Sequence, residues 1–238
     1  MTPLTVQIIG PGKAGLSFYN ALRQQGWEMR DPLGRGDSLM SVSEGVDLVL
    51  ITTPDQSVID IAHSLPKSDA VVAHIAGSLG LDALHPHEKR GSIHPLVSLP
   101  NPDVGTQRLL NDAWFATAGD PLMGKIVQLL GGTNFNVPDE DRTLYHATAC
   151  IASNHLVVLL EQVRRLAEVI NIPFEAFLNL SKGSLESVLK LGPQGALTGP
   201  VARKDEETLR AHLESLPQAE LPLYKICIEE AKRLVKED

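Results

Sequence analysis

Three glycines near the N-terminus have the spacing of a phosphate-binding loop. The pattern G-x-G-x-x-G occurs at Gly10, Pro11, Gly12, Lys13, Ala14 and Gly15. In such loops the first glycine allows a tight turn, the second lets the backbone approach a pyrophosphate, and the third lets the helix pack against the strand. Free N–H groups at the start of that helix hold the phosphates. The pattern therefore predicts a dinucleotide site, the alternative being a glycine turn that binds nothing.

The residues about 20 positions further on select between NAD and NADP, because they meet the adenosine ribose. An acidic side chain there binds the ribose hydroxyls of NAD, whereas an arginine binds the 2′-phosphate of NADP. Asp31 stands between Arg30 and Arg35. The two arginines favour NADP, and NAD bound through Asp31 is the alternative. A further alternative is that all three side chains lie in a solvated surface loop and bind no ligand.

Polar residues follow two further apolar runs. Thr53 and Pro54 come shortly after residues 46–51, and Ser78 follows residues 70–75. In a doubly wound sheet, the carboxyl ends of the strands line the ligand crevice. We therefore expect Thr53, Pro54 and Ser78 to line the cofactor site, where Ser78 can also bind a substrate carbonyl. The alternative for Ser78 is the N-cap of a short helix.

A second group of candidates lies on a long helical pattern. His146, Cys150 and Asn154 are spaced i, i+4, i+8, so an α-helix places them on one face. Because histidine titrates near neutrality, His146 is a candidate proton donor in carbonyl or imine reduction, and the Asn154 amide is a candidate for orienting the substrate. His94, held extended by the following proline, is a further catalytic candidate. The alternative for each is a structural side chain, and we interpret Cys150 as core filling.

The segment from Gly192 to Pro200 is rich in glycine and proline, which is typical of a functional loop between helices. Thr198 within it and Arg203 beyond it are candidate substrate-binding residues. Arg203 is suited to a bidentate contact with a carboxylate. A rigid connector and a surface arginine are the alternatives.

The composition excludes several classes of function. The 238 residues include 21 Lys+Arg and 29 Asp+Glu, which gives a net charge of −8. That balance argues against a nucleic acid or an anionic membrane as partner and leaves a small-molecule substrate. No apolar run reaches the roughly 20 residues of a membrane helix, and Cys150 and Cys227 fit a cytoplasmic protein better than a disulfide scaffold. His85 and His87 have no Cys or carboxylate at ligand spacing, so we expect no metal.

Apolar runs and helical patterns alternate in the first half of the chain. Strands are predicted at residues 4–9, 27–30, 46–51, 70–75, 91–96, 114–118 and 135–137, with helices at 14–25 and 121–130. Continuous apolar runs separated by helices are typical of parallel strands buried on both faces. The pattern predicts an α/β Rossmann domain over residues 1–137, with a doubly wound, mostly parallel sheet.

Strand patterns stop at residue 138, which predicts an all-α domain over residues 138–238. Its helices are expected at 139–170, 173–180, 185–190, 204–215 and 221–236. Residues 156–160 are apolar on every side, and a helix of that kind is buried on all faces. Because one small helical domain can hardly cover it, we expect a homodimer through the C-terminal helices.

Six motifs occur together and in order: GPGKAG, DLVLITTPD, HIAGS, GSIHPL, YHATACIASNH and ALTGPVARKD. The set resembles a bacterial family in which a Rossmann-like NADP-binding domain precedes a helical domain of unknown function. That family is similar to the 6-phosphogluconate dehydrogenase-like, pyrroline-5-carboxylate reductase and deazaflavin-dependent NADP oxidoreductase group. The resemblance covers nearly the whole chain. It implies a nicotinamide cofactor and a dimer whose long helices pack together.

One position departs from the wider group. Many β-hydroxyacid dehydrogenases carry a Lys-x-x-x-Asn pair on the long helix, whereas this chain has Cys150-x-x-x-Asn154. The lysine that would act as general acid or base is absent, so the resemblance does not imply the hydroxyacid reaction itself. We hypothesise an NAD(P)-dependent oxidoreductase that transfers a hydride between a nicotinamide and a small carbonyl, imine or hydroxy compound. The alternative is a non-catalytic NAD(P)-binding sensor or scaffold.

Overall fold

The short apolar runs pair into one sheet. The computed structural model describes residues 3–236, and in these the strands are β1 (Thr5–Ile9), β2 (Glu28–Met29), β3 (Leu48–Ile51), β4 (Val71–His74), β5 (Arg90–Pro95), β6 (Trp114–Gly119) and β7 (Thr133–Phe135). The strand order is β2-β1-β3-β4-β5-β6-β7, and neighbouring strands are parallel except β5 and β6. The predicted doubly wound, mostly parallel sheet is confirmed.

The strand order reverses between β1 and β3. The chain leaves β1 for β2 on one side of it and returns to β3 on the other side. All four residues of β3 are buried, as expected for a strand covered on both faces. Gly10 and Thr52 follow β1 and β3 at this point, which is where doubly wound sheets bind their ligands.

Helices α1 (Lys13–Gln24), α2 (Asp55–Ser64), α3 (Pro102–Leu109) and α4 (Leu122–Leu129) contribute to the two apolar cores of the sheet or pack on one another. Helix α1 buries Phe18, Ala21 and Leu22, whose spacing puts them on one face. It approaches α3 closely, because a Cβ on Gly105 would lie only 2.9 Å from Cβ of Ser17. A side chain at Gly105 would therefore force these two helices apart.

The predicted long helix is divided into three segments. Helix α5 (Arg142–Cys150) is followed by a π-helical segment (Ile151–His155) and by α6 (Leu156–Val169). His146 and Cys150 lie on α5, whereas Asn154 lies in the π-helical segment, whose turn is wider than that of an α-helix. That the three side chains share one face stays a prediction. Within the described chain, Asp139–Val169 is the one stretch long and apolar enough to span a membrane on length and composition alone.

Helix α7 (Phe174–Ala196) replaces the two short helices predicted at 173–180 and 185–190. The hydroxyls of Ser181 and Ser184 donate to carbonyls four residues earlier, at 2.9 and 3.2 Å, so these side chains are satisfied inside a helix. Gly192, with φ of 72°, kinks the element just before Pro193, so the predicted loop begins within it. Helices α8 (Glu206–Ser215) and α9 (Leu221–Lys236) follow close to their predicted bounds.

The chain divides into two compact units between Ser153 and Asn154. We call them the first unit and the second unit. The division lies beyond the expected domain boundary after residue 137, because α5 contacts the sheet. Its Arg142 and Tyr145 side chains reach Ser92 and His94 on β5.

The second unit buries few apolar side chains. Among its described residues, those that are buried and apolar are Ala167, Leu209 and Ile228. Arg165 donates to both carboxylate oxygens of Glu220, at 2.7 and 2.8 Å. Large apolar side chains of α6 and α7 are exposed at Leu156, Val157, Val158, Leu159, Leu180, Leu185, Leu189 and Leu191.

Candidate functional site

The glycine loop turns sharply where β1 ends. Gly10 has φ of +104°, and a Cβ there would lie 2.8 Å from Cγ2 of Thr53, so glycine is required on both counts. The N–H of Gly10 donates to the carbonyl of Leu33 at 2.8 Å, and its carbonyl accepts from Oγ1 of Thr52 at 2.6 Å. These bonds fix the loop between the ends of β1 and β3.

The other two glycines have the environments that the pattern predicts. A Cβ on Gly15 would overlap the Gly10 carbonyl oxygen and the Thr52 hydroxyl, which allows α1 to start close to the strand. A Cβ on Gly12 would meet nothing within 4 Å. Gly12 is the N-cap of α1, and no side chain caps the helix and no acidic residue stands in its first turn. The free N–H groups and the helix dipole at this end therefore favour an anion.

A cavity of about 460 Å³ lies beside the loop. Its lining includes Gly10, Pro11, Arg35, Thr53 and Pro54. The hydroxyl oxygen of Thr53 is buried and has no hydrogen-bond partner among the described residues. A buried hydroxyl without a partner is costly unless a bound group completes it. The arginine, the unpaired hydroxyl and the open helix start together fit the phosphates and sugar of a dinucleotide.

The two arginines considered for the 2′-phosphate are placed differently. Arg30 donates through Nη2 to the carbonyl of Glu44 at 2.6 Å, and within residues 3–236 it is not part of the cavity lining. Arg35 is exposed and lines the cavity. Asp37 also lines the cavity, and its carboxylate accepts the N–H of Gly34 at 2.7 Å. Sequence reasoning missed Asp37, although an aspartate beside two glycines is a common turn signal.

Ser78 lies on the loop after β4 and donates to the Asp55 carboxylate at 2.6 Å. The short 3₁₀ helix that follows has Gly80 as its N-cap, so the alternative interpretation of Ser78 as an N-cap was wrong. Asp55 opens α2 directly after Pro54. The bond therefore joins the loops that follow β3 and β4 at the carboxyl edge of the sheet.

A cluster of aromatic side chains lies at the same edge, between β5 and α5. Nδ1 of His94 lies 2.6 Å from the Tyr145 hydroxyl, and their ring centroids are 5.4 Å apart. The rings of His94 and His146 are 6.1 Å apart. A Cβ on Gly77 would lie 2.8 Å from Cδ2 of His146 and 3.0 Å from Nε2 of His94, so both imidazoles pack against this glycine. The structure therefore brings the two predicted catalytic histidines together.

Burial keeps the paired side chains of this cluster neutral near pH 7. It lowers the pKa of His94 to about 4, and the neighbouring His146 adds to that effect. It raises the pKa of Tyr145 to about 12. Because neither group ionises near neutral pH, the contact between them is a hydrogen bond between neutral groups.

Arg142 anchors α5 to the sheet beneath this cluster. Its side chain is 1% exposed and donates to Asp139 at 2.9 Å and to the Ser92 hydroxyl at 3.1 Å. His74 is the neighbour of Ser92 on β4, and burial lowers the pKa of His74 to about 4. Sequence reasoning missed both Arg142 and Tyr145. For Arg142 the reason is that an arginine in an acidic helical turn resembles a solvated residue.

Residues 115–231 match a protein family that is described as a domain of unknown function, DUF2520. The predicted resemblance is confirmed. The DUF2520 match includes α5 and nearly all of the second unit, whereas the glycine loop precedes it.

Solved structures share the fold over almost their whole length. Protein TM1727 from Thermotoga maritima is 22% identical, with a TM-score of 0.73 over 97% of this chain and 98% of that chain. BF3122 from Bacteroides fragilis, provisionally described as an NADP oxidoreductase, is 20% identical, with a TM-score of 0.77 over 99% of both chains. Pyrroline carboxylate reductase from Plasmodium falciparum with NADP bound is 12% identical, with a TM-score of 0.65 over 99% of this chain and 100% of that chain. At these identities the similarity shows the fold. No curated protein sequence matches significantly.

The DUF2520 match also contains the predicted residues of the second unit. Asn154 lies in the π-helical segment, where that unit begins. Thr198 and Arg203 are exposed in the segment between α7 and α8, and the N–H of Arg203 donates to the carbonyl of Gly199 at 3.2 Å. Within the described residues, no group of three or more His, Cys, Asp or Glu side chains is placed to hold a metal ion.

Proposed function

We propose that this protein is an NAD(P)-dependent oxidoreductase, with NADP preferred, that acts on a small carbonyl, imine or hydroxy compound. The observation that carries the proposal is the uncapped start of α1 beside a cavity lined by Arg35 and by the unpaired Thr53 hydroxyl. A pyrroline carboxylate reductase with the same fold has NADP bound. A reductive aminase from Aspergillus terreus with the same fold has NADPH bound.

Different residues of the first unit would bind different parts of the cofactor. The backbone N–H groups of Gly12, Lys13 and Ala14 would hold the phosphates, and Arg35 would hold the 2′-phosphate. Thr53, Pro54 and Ser78 would line the remaining length. When bound, the nicotinamide supplies or accepts the hydride.

The aromatic cluster would donate the proton that accompanies the hydride in a reduction. His146 is partly exposed at the carboxyl edge of the sheet and is the proposed proton donor to a reduced carbonyl or imine. His94 is held neutral beside it. Asn154 remains a proposed catalytic residue, whose amide would orient the substrate, and Thr198 and Arg203 remain the proposed substrate-binding residues of the second unit.

We also propose a homodimer formed through the C-terminal helices. Val157 and Val158 on α6 are 65% and 56% exposed in the single chain, and Leu189 on α7 is 79% exposed. Apolar surface of this extent on a soluble protein marks a contact with another chain. The net charge of −8 opposes nucleic acid and anionic membranes as partners. A soluble cytoplasmic protein with a small-molecule substrate fits these features.

The test is a calorimetric titration of NADPH into the full chain and into Gly12→Ala. Because Gly12 has open space around its missing Cβ, the variant should keep its melting temperature but hold the pyrophosphate further away. We expect its dissociation constant to rise by about tenfold or more, equivalent to about 1.4 kcal/mol. Gly124→Ala on α4 is the matched control, since a Cβ there also meets nothing within 4 Å.

An absence of NADPH and NADH binding to the wild type would overturn the proposal. Equal affinity of wild type and Gly12→Ala would place the cofactor elsewhere. Binding without any turnover of carbonyl, imine or hydroxy compounds would favour the sensor or scaffold over the enzyme.

A further inference from the structure

We propose that His94 donates a hydrogen bond through Nε2 to a carbonyl oxygen of a bound ligand, and that Tyr145 is the positioning residue that holds His94 in the tautomer this requires. The inference rests on the proposed function and goes further by assigning a role to each ring nitrogen. It also names Tyr145, which begins the YHATACIASNH motif but is not among the candidate site residues predicted from the sequence.

The direction of the Tyr145–His94 hydrogen bond follows from the chemistry of its two partners. The two atoms are 2.6 Å apart. A protonated phenol has one O–H to donate, and within residues 3–236 its hydroxyl has one hydrogen-bond partner, Nδ1 of His94. The lone pair of a neutral imidazole nitrogen is a better acceptor than a phenol oxygen, whose lone pair is delocalised into its ring. Tyr145 therefore donates, and Nδ1 of His94 accepts.

A neutral imidazole carries one N–H, so an accepting Nδ1 leaves the proton on Nε2. Nε2 of His94 has no hydrogen bond within the described residues, and it is not among their fully enclosed polar atoms that lack a partner. It lies against Gly77, which is on the loop that follows β4 and directly precedes Ser78, the residue that donates to Asp55. The charged or titratable groups that influence the pKa of His94 are His146, Asp55, Arg142 and His74. The geometry thus presents a neutral donor beside the partly exposed ring of His146.

A fixed neutral donor selects the chemistry of the group that it meets. A carbonyl oxygen has two lone pairs and gains negative charge when hydride reaches its carbon, so this hydrogen bond strengthens during reduction. The nitrogen of an iminium ion has no lone pair to accept this hydrogen bond, and its own N–H would point at the Nε2–H of His94. The arrangement therefore favours aldehydes and ketones over protonated imines. The carboxamide oxygen of the nicotinamide offers the same chemistry and is the second source of such a carbonyl.

The second unit contains a matched control for this pair. Nδ1 of His212 lies 2.7 Å from the Tyr224 hydroxyl, with ring centroids 6.1 Å apart. His212 is exposed and Tyr224 is partly exposed. Tyr145→Phe and Tyr224→Phe thus remove the same kind of hydrogen bond while keeping both rings. Only the first change should affect His94.

The experiment begins with nitrogen NMR of the full chain labelled with ¹⁵N-histidine. His94 is identified by the signals that disappear in His94→Gln. We expect wild-type His94 to be neutral with its proton on Nε2 at pH 7, and Tyr145→Phe to shift its population toward the Nδ1–H form. Tyr224→Phe should leave the His94 signals unchanged. A wild-type His94 that is charged at pH 7, or that carries its proton on Nδ1, would overturn the proposal.

The second measurement follows NADPH binding and NADPH oxidation with a panel of aldehydes and ketones. A decrease in kcat of about tenfold or more in Tyr145→Phe, with unchanged NADPH affinity, identifies the substrate carbonyl as the partner. Weaker NADPH binding identifies the carboxamide. No change in either quantity, or turnover only when an amine is added, overturns the assignment. If wild type fails to bind NADPH, the proposed function fails, whereas the NMR result still decides the His94 tautomer.

Discussion

The two units differ in how far their apolar side chains are buried. In the first unit, one apolar cluster lies on each face of the sheet, and core residues such as Phe18, Leu50 and Phe115 are 0% exposed. In the second unit, Val157 and Leu189 are 65% and 79% exposed. Burial of apolar surface contributes about 25 cal/mol per Å² to stability. The first unit thus has a full core of its own, whereas the second has few buried apolar side chains, which fits our proposal that it packs against another chain.

Two glycines of the first unit are closely packed, and a glycine within α7 of the second unit is not. A Cβ on Gly15 or Gly105 in the first unit would collide with neighbouring atoms, whereas a Cβ on Gly183 in the second unit would meet nothing within 4 Å. Close packing fixes the glycine loop and the His94 cluster in place, which fits our proposal that the first unit binds the cofactor. The open helical surfaces of the second unit suit a role in association.

The largest expected effect tests whether the exposed face of α6 is an interface. We expect wild type to have about twice the chain mass of 25.8 kDa. Val158→Asp should give monomers or insoluble protein, because an unpaired charge in an apolar interface costs on the order of 4 kcal/mol. Light scattering measures the mass. Ile59→Asp on α2, where the side chain is 45% exposed, is the control and should remain dimeric. A monomeric wild type at micromolar concentration would refute the homodimer.

The next effect compares one substitution in the two units. Gly15→Ala should lower the free energy of unfolding by about 3 kcal/mol, because its methyl group overlaps backbone that cannot move easily. Gly183→Ala within α7 should raise it by up to about 1 kcal/mol, because alanine favours a helix. Denaturant unfolding measures both. Similar losses in the two variants would contradict the difference in packing.

The effect that is smallest per pH unit concerns two buried histidines of the first unit. Burial lowers the pKa of both His74 and His94 from 6.5 to about 4. Between these values the unfolded chain binds protons that the folded chain does not, so stability should fall as pH falls from about 6.5 to about 4. Each histidine contributes at most about 1.4 kcal/mol per pH unit. Denaturant unfolding at several pH values should show a shallower slope in His94→Gln. An unchanged slope would mean that His94 titrates normally.

The sequence predicted the sheet well because its signals are local. The apolar runs at β3 and β4 are continuous, and the glycine pattern follows β1 at the expected place. The helical half was harder to predict. Ser181 and Gly183 resemble a break in the helix, but the Ser181 hydroxyl bonds back to the carbonyl of Phe177, so the helix continues.

The candidate site could be predicted only in part, because its contacts join distant residues. His94 and His146 are both sequence candidates, but their meeting depends on the packing of α5 against β5. The roles of Tyr145 and Arg142 come from partners about fifty positions away in the chain. The choice between Arg30 and Arg35 depends on the Glu44 carbonyl, which no spacing rule identifies.

Binding of a nicotinamide cofactor at the glycine loop can be tested by a crystal structure of the full chain with NADPH. The pyrophosphate should lie against the N–H groups of Gly12, Lys13 and Ala14, and the 2′-phosphate should contact Arg35 while Arg30 stays with the Glu44 carbonyl. The nicotinamide should lie on the side of the loop that leads to His94 and His146. A dinucleotide bound away from the glycine loop, or an NADPH-soaked crystal with no cofactor density beside the loop, would show that the loop is not the cofactor site.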